Sequence, residues 1–233
     1  MAHGAEILHS GTQVCTSARH RFGTDAVLLA SFCAPRRAER AVDLCSGCGV
    51  VALQWHDAGH RGPCWAVELN AEASGLLRAA LAGQPAAAAH ITPVQGDVRD
   101  FWRGLPADCH LAACNPPYFS AGPRSPEPAR AQARHELAGG FEDMAACAAR
   151  CLRDGGRFAF CWPPARLAEA FGALGRHRLE PKRLLFVKKA AGAAPWLFLC
   201  EAQKNRRPGL AVLPDLITGA AGAPFGPDAP KQE

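Results

Sequence analysis

From residue 41 onward, short apolar runs alternate with segments whose apolar residues recur at helical spacing. The runs are 41–45, 64–69, 91–97, 110–114 and 157–162, and the helical segments are about 49–56, 71–83, 141–152 and 165–175. Strands that alternate with helices predict a parallel sheet with helices on both faces. Two more runs, 182–189 and 195–204, are joined by a loop alone, which predicts one antiparallel edge strand. The pattern therefore predicts a single α/β domain with a doubly wound, Rossmann-like, mostly parallel sheet of seven strands.

Acidic residues lie at the ends of the first three predicted strands. Asp43 lies near the end of the first, Glu68 ends the second and Asp97 ends the third. In a doubly wound sheet, ligands bind beyond the carboxyl ends of the strands. Each acid alone is typical of a solvated loop, but three acids at the ends of three successive strands indicate a binding site.

A glycine turn follows the first strand, and residues 47–52 match the pattern G-x-G-x-x-[GA]. That pattern alone suggests a dinucleotide site. Asp43 argues against it, because a carboxylate beside the turn repels a pyrophosphate held at a helix N-terminus. A ligand with a cationic group beside its nucleoside, such as S-adenosylmethionine, is compatible with Asp43. Gly47 and Gly49 lack a Cβ, which permits close approach of a ligand to the backbone.

The run Cys114-Asn115-Pro116-Pro117-Tyr118-Phe119-Ser120 directly follows the fourth strand. Its prolines end the strand, because proline cannot donate a hydrogen bond to a sheet. A strand-ending turn accounts for the prolines but not for Tyr118, the only tyrosine in the chain. This turn is therefore a candidate part of the site.

Charge is distributed unevenly along the chain. Residues 1–114 contain 9 Lys and Arg against 10 Asp and Glu, whereas residues 115–233 contain 17 against 11. Within 176–189, six basic residues accompany one acid. Such a patch beside a site indicates a polyanionic partner, although a solvated basic edge accounts equally well for any single residue here.

The composition indicates where in the cell the protein is expected to be found. The 233 residues contain no apolar stretch long enough to span a bilayer and no N-terminal apolar signal, so we expect a cytoplasmic protein without a membrane partner. Eleven cysteines without framework spacing favour reduced thiols. Cys45-x-x-Cys48 has no second Cys or His pair at zinc spacing, so we expect no metal.

Four motifs together resemble the class I S-adenosylmethionine-dependent methyltransferases. They are DLCSGCG (43–49), VEL (67–69), GD (96–97) and NPPY (115–118), and the resemblance covers about residues 18–204. NPPY is typical of members that methylate adenine N6 or the glutamine amides of proteins. Two further segments, RHRFGTDAVLLASFC (19–33) and ARAQARHEL (129–137), resemble the bacterial tRNA1(Val) adenine-37 N6-methyltransferase family.

The resemblance implies S-adenosylmethionine as the cofactor. Glu68 is expected to accept hydrogen bonds from the ribose hydroxyls and Asp97 from the adenine amino group, while residues 1–40 cover the methionine end. Thr24 or Asp25 also suits a helix cap before the apolar run that follows, a role compatible with cofactor contact. The expected cofactor-binding residues are Thr24, Asp25, Asp43, Gly47, Gly49, Glu68, Asp97, Val98 and Asn115.

The resemblance also implies that Asn115, Pro116, Pro117 and Tyr118 form the catalytic turn. An adenine amino group is a poor nucleophile because its lone pair is delocalised into the ring. Hydrogen bonds to the Asn115 side-chain oxygen and the Pro116 carbonyl would favour a tetrahedral nitrogen, and Tyr118 would stack on the flipped base. The expected substrate-binding residues are Tyr118, Phe119, Arg130, Arg134, His135, Lys182, Arg183, Lys188 and Lys189.

The sequence thus predicts an N-terminal segment (1–40), a methyltransferase domain (41–204) and a C-terminal extension (205–233) whose end is disordered. The expected function is N6-methylation of adenine in structured RNA, with the tRNA anticodon-loop adenosine 37 as the favoured target. Two alternatives stay open. One is a protein-glutamine methyltransferase, which shares NPPY but usually carries a helical substrate domain ahead of the fold; the other is a cofactor-binding domain without activity.

Overall fold

The computed structural model describes residues 4–100, 104–116 and 140–219. The strands are β1 (Gly4–Ile7), β2 (Gln13–Thr16), β3 (Ala41–Leu44), β4 (Cys64–Glu68), β5 (Ile91–Gln95), β6 (Cys109–Cys114), β7 (Leu152–Trp162), β8 (Leu179–Lys188), β9 (Leu197–Lys204), β10 (Ala211–Val212) and β11 (Leu216–Ile217). The helices are α1 (Thr24–Phe32), α2 (Val50–Asp57), α3 (Ala71–Ala82), α4 (Pro85–Ala88), α5 (Phe141–Cys151) and α6 (Leu167–Arg176).

The main sheet has the order β10-β8-β9-β7-β6-β3-β4-β5, and β11 pairs with β8 beyond β10. Strands β3 to β7 run parallel, whereas β9 is antiparallel to both β7 and β8. The seven expected strands and their mostly parallel arrangement are therefore confirmed. The antiparallel strand β9 lies near one edge of the sheet, where β8 and the short strands β10 and β11 are the only strands outside it in the part of the chain that the structure describes.

Helices cover both faces of the sheet. The first face packs against the apolar sides of α1, α2 and α3, with Leu29, Trp55 and Leu77 each at most 1% exposed. The second face packs against α5 and α6 through residues such as Met144 and Leu174. Because helices cover both faces of the sheet, a ligand is expected to bind at the ends of the strands.

Three local features differ from the sequence pattern. The strand predicted at 157–162 starts earlier: β7 begins at Leu152, directly after α5, and a register shift opposite Cys109–Leu111 accommodates the extra residues. Strands β10 and β11 extend the main sheet beyond residue 204. The hairpin β1–β2 forms a separate two-stranded sheet, tied to the body where Gln84 Oε1 accepts from the Gln13 N–H at 2.8 Å.

A cluster of histidines lies at the edge of the sheet where β4 and β5 begin. His56 Nδ1 and His90 Nε2 share a hydrogen bond of 2.8 Å, and the His60 ring packs edge-on against His90. Burial, together with the neighbouring His56, His60 and Arg61, lowers the pKa of His90 to about 4, although the hydrogen bond to the Gly62 carbonyl oxygen opposes this shift. The cluster is therefore neutral at pH 7.

All eleven cysteines are free thiols, and ten of them are buried. In the part of the chain that the structure describes, no helix is both long enough and apolar enough to cross a membrane.

Candidate active site

A cavity of about 330 Å³ opens at the carboxyl ends of β3, β4, β5 and β6, within the size range of small-molecule sites. Register explains why these ends meet: Leu44 pairs with both Val67 and Cys114, and Glu68 pairs with Gln95. Of the predicted cofactor-binding residues, Asp25, Gly47, Glu68, Asp97, Val98 and Asn115 line this cavity, and Thr24, Asp43 and Gly49 do not.

The loop from Cys45 to Gly49 forms the floor of the cavity. Its backbone has positive φ at Cys45 (58°), Gly47 (56°) and Gly49 (82°), and such conformations at a non-glycine residue concentrate at functional sites. A Cβ at Gly47 would meet no atom within 4 Å, whereas a Cβ at Gly49 would lie 2.5 Å from Leu77 Cδ1. Gly49 is therefore required by its φ and by packing against α3, and Gly47 is the glycine that faces open space.

Glu68 links the ends of β3 and β4. Its Oε2 accepts from the Gly47 N–H at 2.7 Å, and its Oε1 accepts from the Asn70 N–H at 2.7 Å. Each carboxylate oxygen has a second acceptor site, so two further donors can bind. The carboxylate thus holds the glycine loop in place and keeps the acceptor capacity that a ribose requires.

Asp97 is held by Arg99. The Arg99 N–H and Nε donate to Asp97 Oδ1 at 2.9 Å each, and Nε and Nη2 donate to Oδ2 at 3.0 and 2.5 Å. These bonds hold the pKa of Asp97 below its usual range. Because both oxygens already accept two hydrogen bonds, an adenine amino group must displace part of the Arg99 contact in order to bind Asp97.

Asp43 does not face the cavity, which corrects the expectation of direct cofactor contact. It lies on β3 in the middle of the sheet and is 0% exposed, with its side chain toward the face that α2 covers. Burial raises the pKa of Asp43 to about 8, and the backbone at Ala52 offsets only part of that rise. A carboxyl group that is mostly protonated near neutral pH does not supply a negative charge to a cationic ligand.

The turn that the sequence predicts to be catalytic is described as far as Pro116. Asn115 and Pro116 both line the cavity, at the end of β6. Asn115 Oδ1 accepts from the Cys161 thiol on β7 at 2.9 Å. Pro117, Tyr118, Phe119, Arg130, Arg134 and His135 lie outside the described residues, so their roles stay predictions.

The segment before α1 forms the wall opposite Glu68 and Asp97. His20, Arg21, Phe22, Gly23 and Asp25 line the cavity there. The N-cap of α1 is Gly23 and not Thr24 or Asp25, and Asp25 Oδ1 instead accepts from the Ala26 N–H at 2.9 Å. Thr24, at the first helical position, is not among the residues that line the cavity.

The first two residues of the predicted basic set are engaged within the protein. Lys182 Nζ donates to the Arg207 carbonyl oxygen at 2.5 Å. The Arg183 guanidinium lies 4.5 Å from the centre of the Phe32 ring and 3.5 Å from Glu201 Oε2. Arg183 lies in the middle of β8, away from the strand ends that form the cavity.

The other two residues lie at the end of the sheet that carries the cavity, because β8 runs antiparallel to β9 and Val187 pairs with Leu197. Lys188 forms an ion pair of 2.5 Å with Asp215, in the segment that leads into β11. Lys189 is exposed. The structure thus separates the four basic residues, and a phosphate contact remains a prediction that suits Lys189 best.

Several cavity residues escaped the sequence pattern. Leu69 is 44% exposed, which is unusual for a leucine at the end of a buried strand, and it lines the cavity next to Glu68. Arg21 is the only Lys or Arg among the described lining residues. Cys45 and Ser46 line the floor. Leu69 could have been found from the sequence, because it is an apolar residue directly after the acid that ends a strand. Arg21 could not, because its position depends on the path of the N-terminal segment.

Among residues 4–100, 104–116 and 140–219, no group of three or more His, Cys, Asp or Glu side chains has a geometry that could hold a metal ion.

Comparison with known proteins gives two kinds of match. The chain is 33% identical over 151 residues to the tRNA1(Val) (adenine(37)-N6)-methyltransferase of Aeromonas salmonicida, which covers 64% of this chain and 62% of that protein. It is 29% identical over 180 residues to the protein of that name from Shewanella sp. (strain MR-4), and the match covers 73% of this chain and 72% of that protein. The chain thus spans a little under two thirds of the first of these relatives. No family model matches the chain.

Solved structures share the fold. A structure described as a predicted O-methyltransferase from Agrobacterium tumefaciens superposes with a TM-score of 0.65 at 26% identity, covering 84% of this chain and 89% of that one. The tRNA m1G37 methyltransferase of M. jannaschii superposes with a TM-score of 0.59 at 14% identity, and the superposition covers 88% of this chain and 55% of that one. The Rossmann-like methyltransferase fold and the resemblance that the motifs indicated are confirmed.

Proposed function

We propose that this chain transfers a methyl group from S-adenosylmethionine to the N6 amino group of an adenine in structured RNA, with the tRNA anticodon-loop adenosine 37 as the favoured target. One observation carries the proposal: Asn115 and Pro116 open into the same cavity as Glu68 and Asp97. An amine-binding turn therefore lies within reach of a nucleoside site.

The lining residues fit a nucleoside. Glu68 keeps two free acceptor sites for ribose hydroxyls, and the exposed Leu69 and the buried Val98, which lines the cavity, offer apolar contact to a flat base. Asp97 can accept from an exocyclic amino group once Arg99 yields part of its contact. This donor and acceptor set distinguishes adenosine from a pyrophosphate, which the acidic lining would repel.

The opposite wall fits an amino-acid moiety. With a nucleoside at the ends of β4 and β5, the remaining part of the cofactor reaches over the glycine loop toward the segment before α1. Arg21 is the Arg or Lys that the described lining offers there to an α-carboxylate, and Asp25 offers a carboxylate to an α-ammonium group.

S-adenosylmethionine supplies an electrophilic methyl group on a positively charged sulfur when it is bound. The chain itself positions the acceptor amine. The Asn115 side-chain oxygen and the Pro116 carbonyl oxygen accept hydrogen bonds from that amine, which directs its lone pair toward the methyl group. Because proline fixes the backbone, these acceptors need little reorganisation during the reaction.

Two observations support RNA as the substrate class. The matched relatives are named as tRNA1(Val) adenine-37 N6-methyltransferases, and the exposed Lys189 lies at the end of the sheet that carries the cavity. The protein-glutamine alternative uses the same turn, so it is an outcome of the test rather than a separate proposal.

The test is incubation of the protein with tritiated S-adenosylmethionine, bulk tRNA and a cell extract, followed by ribonuclease or protease digestion and mass spectrometry of the nucleosides. The proposal predicts label in ribonuclease-sensitive material and N6-methyladenosine in the digest. Label that only protease releases would support glutamine methylation, and no label in either fraction would support a binding domain without activity.

A further inference from the structure

The Asn115 side chain is not free at the end of β6, because a thiol from the neighbouring strand holds it. Cys161 Sγ donates to Asn115 Oδ1 at 2.9 Å, and Cys161 is 0% exposed. The contact follows from strand register: Cys114 pairs with Phe160, so the next residues of the two parallel strands lie side by side.

This contact has a chemical consequence for the amide. The oxygen and the NH₂ group of an Asn side chain occupy similar volumes, so a half-turn about the last side-chain bond exchanges an acceptor for two donors. A target amine needs an acceptor. A buried thiol that donates to the oxygen favours the orientation in which oxygen lies toward β7, and an amide oxygen has a second lone pair for another donor.

We propose that Cys161 is a positioning residue, which orients the Asn115 amide so that its oxygen, and not its NH₂ group, receives the amine to be methylated. The inference rests on the proposed function for the identity of that amine. Cys161 is not among the residues that line the cavity, so in this role it acts through its contact with Asn115.

Three substitutions separate this role from ordinary core packing. Cys161→Ala removes the donor and leaves a small cavity. Cys161→Ser keeps a donor of similar size. Cys200→Ala is the matched control, because Cys200 is also 0% exposed, lies on the adjacent strand β9 and does not line the cavity.

The kinetic test measures kcat and KM for tRNA, with cofactor affinity by calorimetry. Cys161→Ala should lower kcat about 2- to 5-fold, the effect of losing one weak hydrogen bond, with KM and cofactor affinity unchanged. Cys161→Ser should restore at least half of the parental kcat, and Cys200→Ala should leave kcat unchanged. Equal kcat for Cys161→Ala and the parent, no rescue by serine, or an equal loss in Cys200→Ala would each overturn the inference.

A spectroscopic test needs no activity. The infrared S–H stretching band of Cys161, assigned by its loss in Cys161→Ala, should move to higher frequency in Asn115→Ala, because the thiol loses its acceptor. A band that stays in place would overturn the inference whether or not the protein methylates RNA. A parental protein that transfers no methyl group while the band moves as expected would instead count against the proposed function.

Discussion

Replacing Glu68 with glutamine should weaken cofactor binding while leaving the fold intact. In the structure, each Glu68 oxygen accepts one backbone N–H at 2.7 Å, from Gly47 and from Asn70. Glutamine keeps one acceptor oxygen, so one of these two bonds is lost, and a ribose hydroxyl that bonded a carboxylate then meets a neutral amide. Hydrogen bonds to charged groups contribute about 1–2 kcal/mol more than the neutral contacts that replace them, which corresponds to roughly 5- to 30-fold weaker binding.

Calorimetry with S-adenosylmethionine measures this loss directly. Glu169→Gln is the matched control, because Glu169 pairs with Arg166 on the surface and does not line the cavity. Glutamine is preferred to alanine, since alanine would release both backbone amides and so disturb the glycine loop itself. If Glu68→Gln bound S-adenosylmethionine as tightly as the control, with an unchanged circular dichroism spectrum, the assignment of Glu68 to the ribose would be wrong.

Three further outcomes are expected. Arg21→Gln should weaken binding of S-adenosylmethionine about tenfold but leave 5′-methylthioadenosine, which lacks the carboxylate, unaffected; equal losses for both ligands in calorimetry would contradict the carboxylate contact. Gly49→Ala should lower the free energy of unfolding in urea by about 2–3 kcal/mol, and Gly47→Ala by about 1 kcal/mol, because only the first adds a clash to its positive φ; equal losses would refute this. The histidine cluster should contribute full stability above pH of about 6.5 and lose about 1–2 kcal/mol as the pH falls toward 4, because the unfolded chain takes up the proton that folded His90 resists; urea titrations at pH 7 and 5 should show this loss in the parent and a smaller one in His90→Asn.

The sheet was predictable because each strand and helix carries its own periodic signal. The predicted runs at 41–45, 64–69 and 110–114 coincide with strands within one residue at each end. The strands β10 and β11 contain two residues each, which is too short for any periodicity, and their pairing with β8 depends on the fold around them. The strand predicted at 157–162 begins earlier, at Leu152, because a register shift lets β7 continue through the positive φ of Gly155.

The site was predictable to the extent that strand ends determine it. Glu68 ends β4, and Asp97 and Asn115 follow β5 and β6 within two residues, so their convergence follows from the order β6-β3-β4-β5 of these parallel strands. Asp43 is likewise an acid near the end of a predicted strand. It lies one residue before the last residue of β3, a strand covered by helices on both faces, and its side chain is therefore buried in the core. The contacts of Asp97 with Arg99 and of Asn115 with Cys161 depend on loop paths and register, which one sequence does not reveal.

Methylation of a tRNA transcript by the parental protein and by Asn115→Ala tests the central claim most directly, when N6-methyladenosine is measured in transcripts that carry adenosine or guanosine at position 37. The account predicts N6-methyladenosine only with adenosine 37, and a rate on the order of 10² to 10³ lower for Asn115→Ala with cofactor affinity unchanged. Parental turnover by Asn115→Ala would contradict the role of the turn, and equal methylation of the two transcripts would contradict the choice of target.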